Sequence, residues 1–135
     1  MTRYGSQTPS QSVILEYEKS FGKDAIEIYK RTGLNPYPWQ EKLVEEIFAI
    51  NDEGLWTHSK FGYAVSRRNG KTEVCYIAEL WFLMEGKNIL HTAHRISTSH
   101  SSFEKMKKYL EKMGMSDKED LSLIHISEPT RLLSI

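Results

Sequence analysis

Phe61-Gly62-Tyr63-Ala64-Val65-Ser66-Arg67-Arg68-Asn69-Gly70-Lys71-Thr72 is the stretch on which the reading of this chain turns. Its order predicts a short apolar strand, a tight polar turn, and Gly-Lys-Thr opening a helix. That succession is what a triphosphate site requires. Backbone N–H groups of the turn would face phosphate oxygens, and the helix N-terminus would add partial positive charge. Gly70 would admit the phosphates close to the backbone. Lys71 would reach the β and γ phosphates, and the Thr72 hydroxyl would hold Mg²⁺. The phosphate-loop pattern G-x-x-x-x-G-K-[ST] wants its first Gly at position 65, where this chain carries Val65.

That departure is itself a likeness. Ser66-Arg67-Arg68-Asn69-Gly70-Lys71-Thr72, with Arg beside Ser and no first Gly, resembles the Walker A segment of phage terminase large subunits. Asn35-Pro36-Tyr37-Pro38-Trp39-Gln40 resembles the Q motif of terminases and helicase-like ATPases, and Thr92-Ala93-His94-Arg95 the segment after their second strand. The resemblance runs from about residue 35 to residue 114. It implies an α/β fold: the N-terminal part of a P-loop NTPase of the ASCE type, three-layered, with an incomplete parallel sheet. It implies an ATPase that powers packaging of double-stranded DNA into procapsids.

By the same resemblance the cofactors would be ATP and Mg²⁺. Lys71 and Arg67 would be catalytic, Arg67 as an arginine finger on the γ-phosphate. Gln40, Ser66, Arg67, Arg68, Asn69, Gly70, Lys71 and Thr72 would bind the nucleotide, with Gln40 reading adenine and Thr72 on the metal. The implied partners are double-stranded DNA, a portal protein, a terminase small subunit and further copies on the portal, with no membrane. The setting would be the host cytoplasm. Two other readings stay open: a helicase-like nucleic-acid translocase, and a non-catalytic nucleotide-binding fragment.

Outward from that stretch, residues 1–34 read as an acidic helical preface. Val13, Ile14, Tyr17 and Phe21 recur at helical spacing, and a second helix is expected over 24–31. Residues 35–115 read as the partial ATPase domain. In it Leu43, Val44, Ile47 and Phe48 form a buried stripe, residues 72–85 the helix after the loop, and residues 88–93 a second buried parallel strand. A further helix carries Phe103, Met106, Leu110 and Met113 on one face, with Lys105, Lys108 and Lys112 off it. His91, His94 and His100 are too irregularly spaced for a zinc site.

Residues 116–135 read as a linker and a tail, Leu121 to Ile135, that resembles translated sequencing-adapter sequence. Leu123 to Glu128 makes a poor Walker B strand, since His125 and Ser127 stand where that motif wants an apolar residue and an Asp. Without that strand the sheet would lack its middle. A marginally stable unit with exposed apolar edges is then expected.

The 135 residues allow one domain at most. Formal net charge is zero, but residues 60–112 hold ten Lys/Arg against five Asp/Glu. Residues 1–59 hold six against nine, so a basic middle follows an acidic beginning. Such a middle suits phosphate or nucleic acid, although solvated helix faces are a commoner cause. The single cysteine, Cys75, excludes an intrachain disulfide. No apolar stretch is long enough to span a bilayer, and no apolar signal core opens the chain.

Overall fold

A computed structural model describes residues 5–66 and 70–114. Its elements in order are β1 (Lys19–Ser20), α1 (Gly22–Lys30), α2 (Pro38–Ile47), β2 (Ala49–Ile50), α3 (Lys71–Met84) and α4 (Ile96–Lys112). Helices dominate. The sheet among the described residues is a two-stranded antiparallel pair, Lys19 opposite Ile50 and Ser20 opposite Ala49.

The helices form where local chemistry favours them. α2 starts at Pro38, whose fixed φ suits the first helical position, after Tyr37 in extended conformation. α1 has Asp24 in its first turn and Lys30 in its last, both favourable to the helix dipole. Each helix then buries one stripe. Ala25, Ile26 and Tyr29 of α1, Val44 of α2, and Val74, Ile77, Leu80 and Trp81 of α3 form one core with Phe48. Phe48 is fully buried, its ring centroid 5.0 Å from Trp81 and 5.3 Å from Phe82. Phe21 stacks on Trp81 at 5.5 Å, and Trp56 closes the edge of this group. Met106, Tyr109 and Leu110 of α4 cap the same core from the other end.

α1 approaches α2 closely because Gly22 has no side chain. A Cβ there would lie 2.5 Å from Glu45 Cα. The Ser20 hydroxyl donates to Glu45 O at 2.6 Å, and Phe21 N–H donates to Phe48 O at 3.1 Å. These bonds fasten the chain before α1 to the end of α2.

Three expectations are overturned here. The parallel sheet of a P-loop NTPase is not formed among the described residues. Residues 61–66 and 88–93 carry no ladder bonds, so neither is a strand. Terminase identity and the ASCE-type α/β class fall with the sheet: this is a small, mostly helical unit. The helix expected through Val13 and Tyr17 is also absent. That stretch is irregular, and Val13 is 97% exposed, because no neighbouring element offers it a surface. The apolar stripe of α3 packs on α1 and α2 instead of a sheet. The assignments made for Arg67, Arg68, Asn69 and residues 116–135 lie outside the described residues.

Candidate functional site

Gly70 stands immediately before α3, and its φ of 84° is left-handed and favours glycine. A Cβ at Gly70 would also meet Gln40 Nε2 at 2.8 Å. Gln40 is 3% exposed, and both ends of its amide are occupied. Nε2 donates to Gly70 O at 2.8 Å, and Oε1 accepts from Tyr37 N–H at 2.8 Å. The residue expected to read adenine therefore ties the start of α2 to the turn before α3. Lys71 and Thr72 open α3 with exposed side chains, and Ser66 is exposed at the end of the preceding described stretch. Tyr63 folds back so that its hydroxyl donates to Lys71 O at 2.6 Å and lies 3.1 Å from Cys75 Sγ. Burial, then the Cys75 contact, pushes the Tyr63 hydroxyl well above its ordinary value.

One turn further on, Glu73 is the most heavily bonded side chain among the described residues. Tyr29 OH donates to Oε2 at 2.7 Å, Tyr109 OH donates to Oε2 at 2.8 Å, and Lys105 Nζ donates to Oε1 at 2.6 Å. Burial alone would raise the Glu73 carboxyl. The Lys105, Tyr29 and Tyr109 donors outweigh it and hold the carboxyl below its ordinary value. Tyr109 is pushed up to about 12, first by burial and then by Glu73, and Tyr29 is pushed higher by the same causes. Burial would lower Lys105, but the Glu73 carboxylate reverses this and leaves it raised.

This cluster joins α1, α3 and α4 at one point. It brings the lysine-bearing side of α4 next to the exposed first turn of α3. Lys105, Lys108 and Lys112 are exposed along α4, while Met106, Tyr109 and Leu110 are buried beneath them. Sequence reasoning placed these lysines off the apolar face but missed Glu73 as their anchor. Its partners lie 32 to 44 residues away, so no local spacing announces them.

His91 bonds Glu79 through Nδ1 and stacks on the Tyr76 ring at 6.4 Å. Burial raises the Glu79 carboxyl, and His91 offsets part of that rise. Among the described residues, no group of three or more His, Cys, Asp or Glu could hold a metal ion.

The expected cofactors, ATP and Mg²⁺, are corrected on this ground together with the missing parallel sheet, and the ATPase and packaging-motor activities go with them. The two enzymatic and nucleotide-binding alternatives lose the same support. No described helix is long and apolar enough to cross a membrane. Comparison with protein-family models finds no match, and comparisons with curated proteins and with solved structures find none either.

Proposed function

We propose that this protein is a non-catalytic module that binds double-stranded DNA through its phosphates. The observation that carries the reading is the Lys105–Glu73 bond at 2.6 Å, which sets the lysine side of α4 beside the exposed first turn of α3. Lys71, Lys108 and Lys112 are exposed around that junction. Glu73, the carboxylate at the junction, already accepts three donors, so its charge is largely spent inside the protein. An exposed helix start flanked by lysines attracts phosphate oxygens and carries no base-specific information. The predominance of Lys and Arg over residues 60–112 points the same way.

The test is fluorescence anisotropy with a labelled duplex at several salt concentrations. Each phosphate contact contributes roughly 0.9 to the slope of log affinity against log salt. The Lys71→Ala, Lys108→Ala, Lys112→Ala triple variant should flatten that slope by roughly 2.7 and weaken binding whatever the sequence of the duplex. Lys23→Ala with Lys42→Ala removes exposed charge from the acidic part of the chain and should leave the slope alone. An unchanged slope in the triple variant would sink the proposal.

A further inference from the structure

Residues 61–66 and 88–93 have the side-chain order of strands without the bonds of strands. Phe61, Tyr63 and Val65 are half-buried, and Gly62, Ala64 and Ser66 between them are exposed. Ile89, His91 and Ala93 are likewise half-buried, alternating with exposed Asn88, Leu90 and Thr92. This is the period of two of a sheet with one face covered. Both stretches lie against α3, Tyr63 through Cys75 and His91 through Glu79 and Tyr76. Yet among the described residues no backbone N–H or C=O of either stretch has a hydrogen-bond partner.

The second stretch is the more adhesive. Asn88-Ile89-Leu90-His91-Thr92-Ala93 contains no Lys, Arg, Asp, Glu, Pro or Gly, so it lacks the usual guards of an open edge. Leu90 is 70% exposed at its centre.

We infer that residues 88–93 pair antiparallel with the same residues of a second copy of this chain. Charge at the two ends of the stretch chooses both partner and register. Lys87 precedes it and Arg95 follows it. Parallel in-register pairing would set like charges opposite each other, which destabilises a ladder. An antiparallel ladder centred on His91 would set Lys87 opposite the partner's Arg95. Centred on Leu90, the ladder sets Leu90 against the partner's Leu90, Asn88 against the partner's Thr92 and Lys87 against the partner's Ala93. It also turns Arg95 toward the end where the partner's Glu85, exposed at the close of α3, is found. That register keeps the half-buried residues of both copies on one side, the side on which His91 meets α3. It is two-fold and closed, as an isologous interface must be.

The full-length chain tests this by sedimentation velocity from about 1 to about 100 µM, since a dimer of this kind depends on protomer concentration. Wild type should move from monomer to dimer across that range. Leu90→Lys should stay monomeric with an unchanged circular dichroism spectrum. Register is tested independently by oxidation in a Cys75→Ser background. Leu90→Cys should form a disulfide dimer, because opposed residues stand about 5 Å apart between Cα atoms. Thr92→Cys should not, because its own copy would be roughly 13 Å away along the ladder. Wild type that remains monomeric at the highest concentration overturns the inference. So does cross-linking of Thr92→Cys as readily as Leu90→Cys.

Discussion

Glu73 shows how much one side chain can hold together. It is partly buried and accepts from Tyr29, Tyr109 and Lys105, so its carboxylate draws α1 and α4 onto α3. Glu73→Gln removes the charge but keeps the shape. Hydrogen bonds to a charged group contribute about 2 kcal/mol, and a loss of that order in unfolding free energy is expected from urea titration at neutral pH. The sign of the pH effect follows from the depressed carboxyl. Stability from Glu73 is fully present above the ordinary carboxylate range, near the reference value of 4.5, and is lost as pH falls through the lower folded value. Glu79 works in the opposite sense. Burial raises its folded value, so its contribution favours the folded state at low pH and is lost as pH rises through that raised value. Wild type and Glu73→Gln should therefore begin to converge as pH falls below about 4.5 and meet once it is below the lower folded value. A gap that persists below the folded value would mean that Glu73 acts through packing alone.

At the scale of elements, the close crossing of α1 and α2 rests on Gly22. Adding a methyl would press on the backbone of Glu45, with Cβ 2.5 Å from its Cα and 2.9 Å from its N. Backbone cannot swing aside as a side-chain tip does, so the helices must separate. Gly22→Ala should cost about 1 to 3 kcal/mol, read as a lower urea midpoint. Gly62→Ala, with nothing within 4 Å of the added Cβ, should leave the midpoint close to wild type.

The same elements show what could be read from sequence and what could not. The helices over residues 22–30, 38–47 and 71–84 follow apolar spacing and terminal residues that act within a turn or two. The apolar runs over residues 61–66 and 88–93 are local too, but the strands read from them do not form. Pairing is not local. A ladder depends on what lies alongside, and the resemblance of Ser66 to Thr72 to a phosphate loop supplied a sheet that the rest of the described chain does not form. The first helix expected in the preface failed for a similar reason. Val13 and Tyr17 have helical spacing, but Val13 is almost wholly exposed and Tyr17 packs half-buried near Glu45 and Glu46 from an irregular stretch. Gln40 was legible as a polar residue of consequence at the start of a helix. Its partner, the carbonyl of Gly70, lies 30 residues on and could not be read from spacing.

For the molecule as a whole, the acidic beginning and the basic middle meet in one aromatic core. Phe21 and Phe48 come from the first part of the chain, and Trp81 and Phe82 from the second. The two parts must fold as one, because neither holds enough apolar surface alone. Gln40 spans the same division outside the core. Its Oε1 holds the Tyr37 N–H while its Nε2 holds the Gly70 carbonyl, so the Tyr37 amide is protected only while the turn before α3 keeps Gln40 in place. Hydrogen exchange at that one amide should accelerate by about tenfold or more in Gly70→Ala, where left-handed strain and the 2.8 Å approach to Nε2 pull the turn away. Tyr37 thus supplies a native sentinel for a distant residue: a solvent-exchange clock, written into the unlabelled protein, that tells when Gly70 has let go.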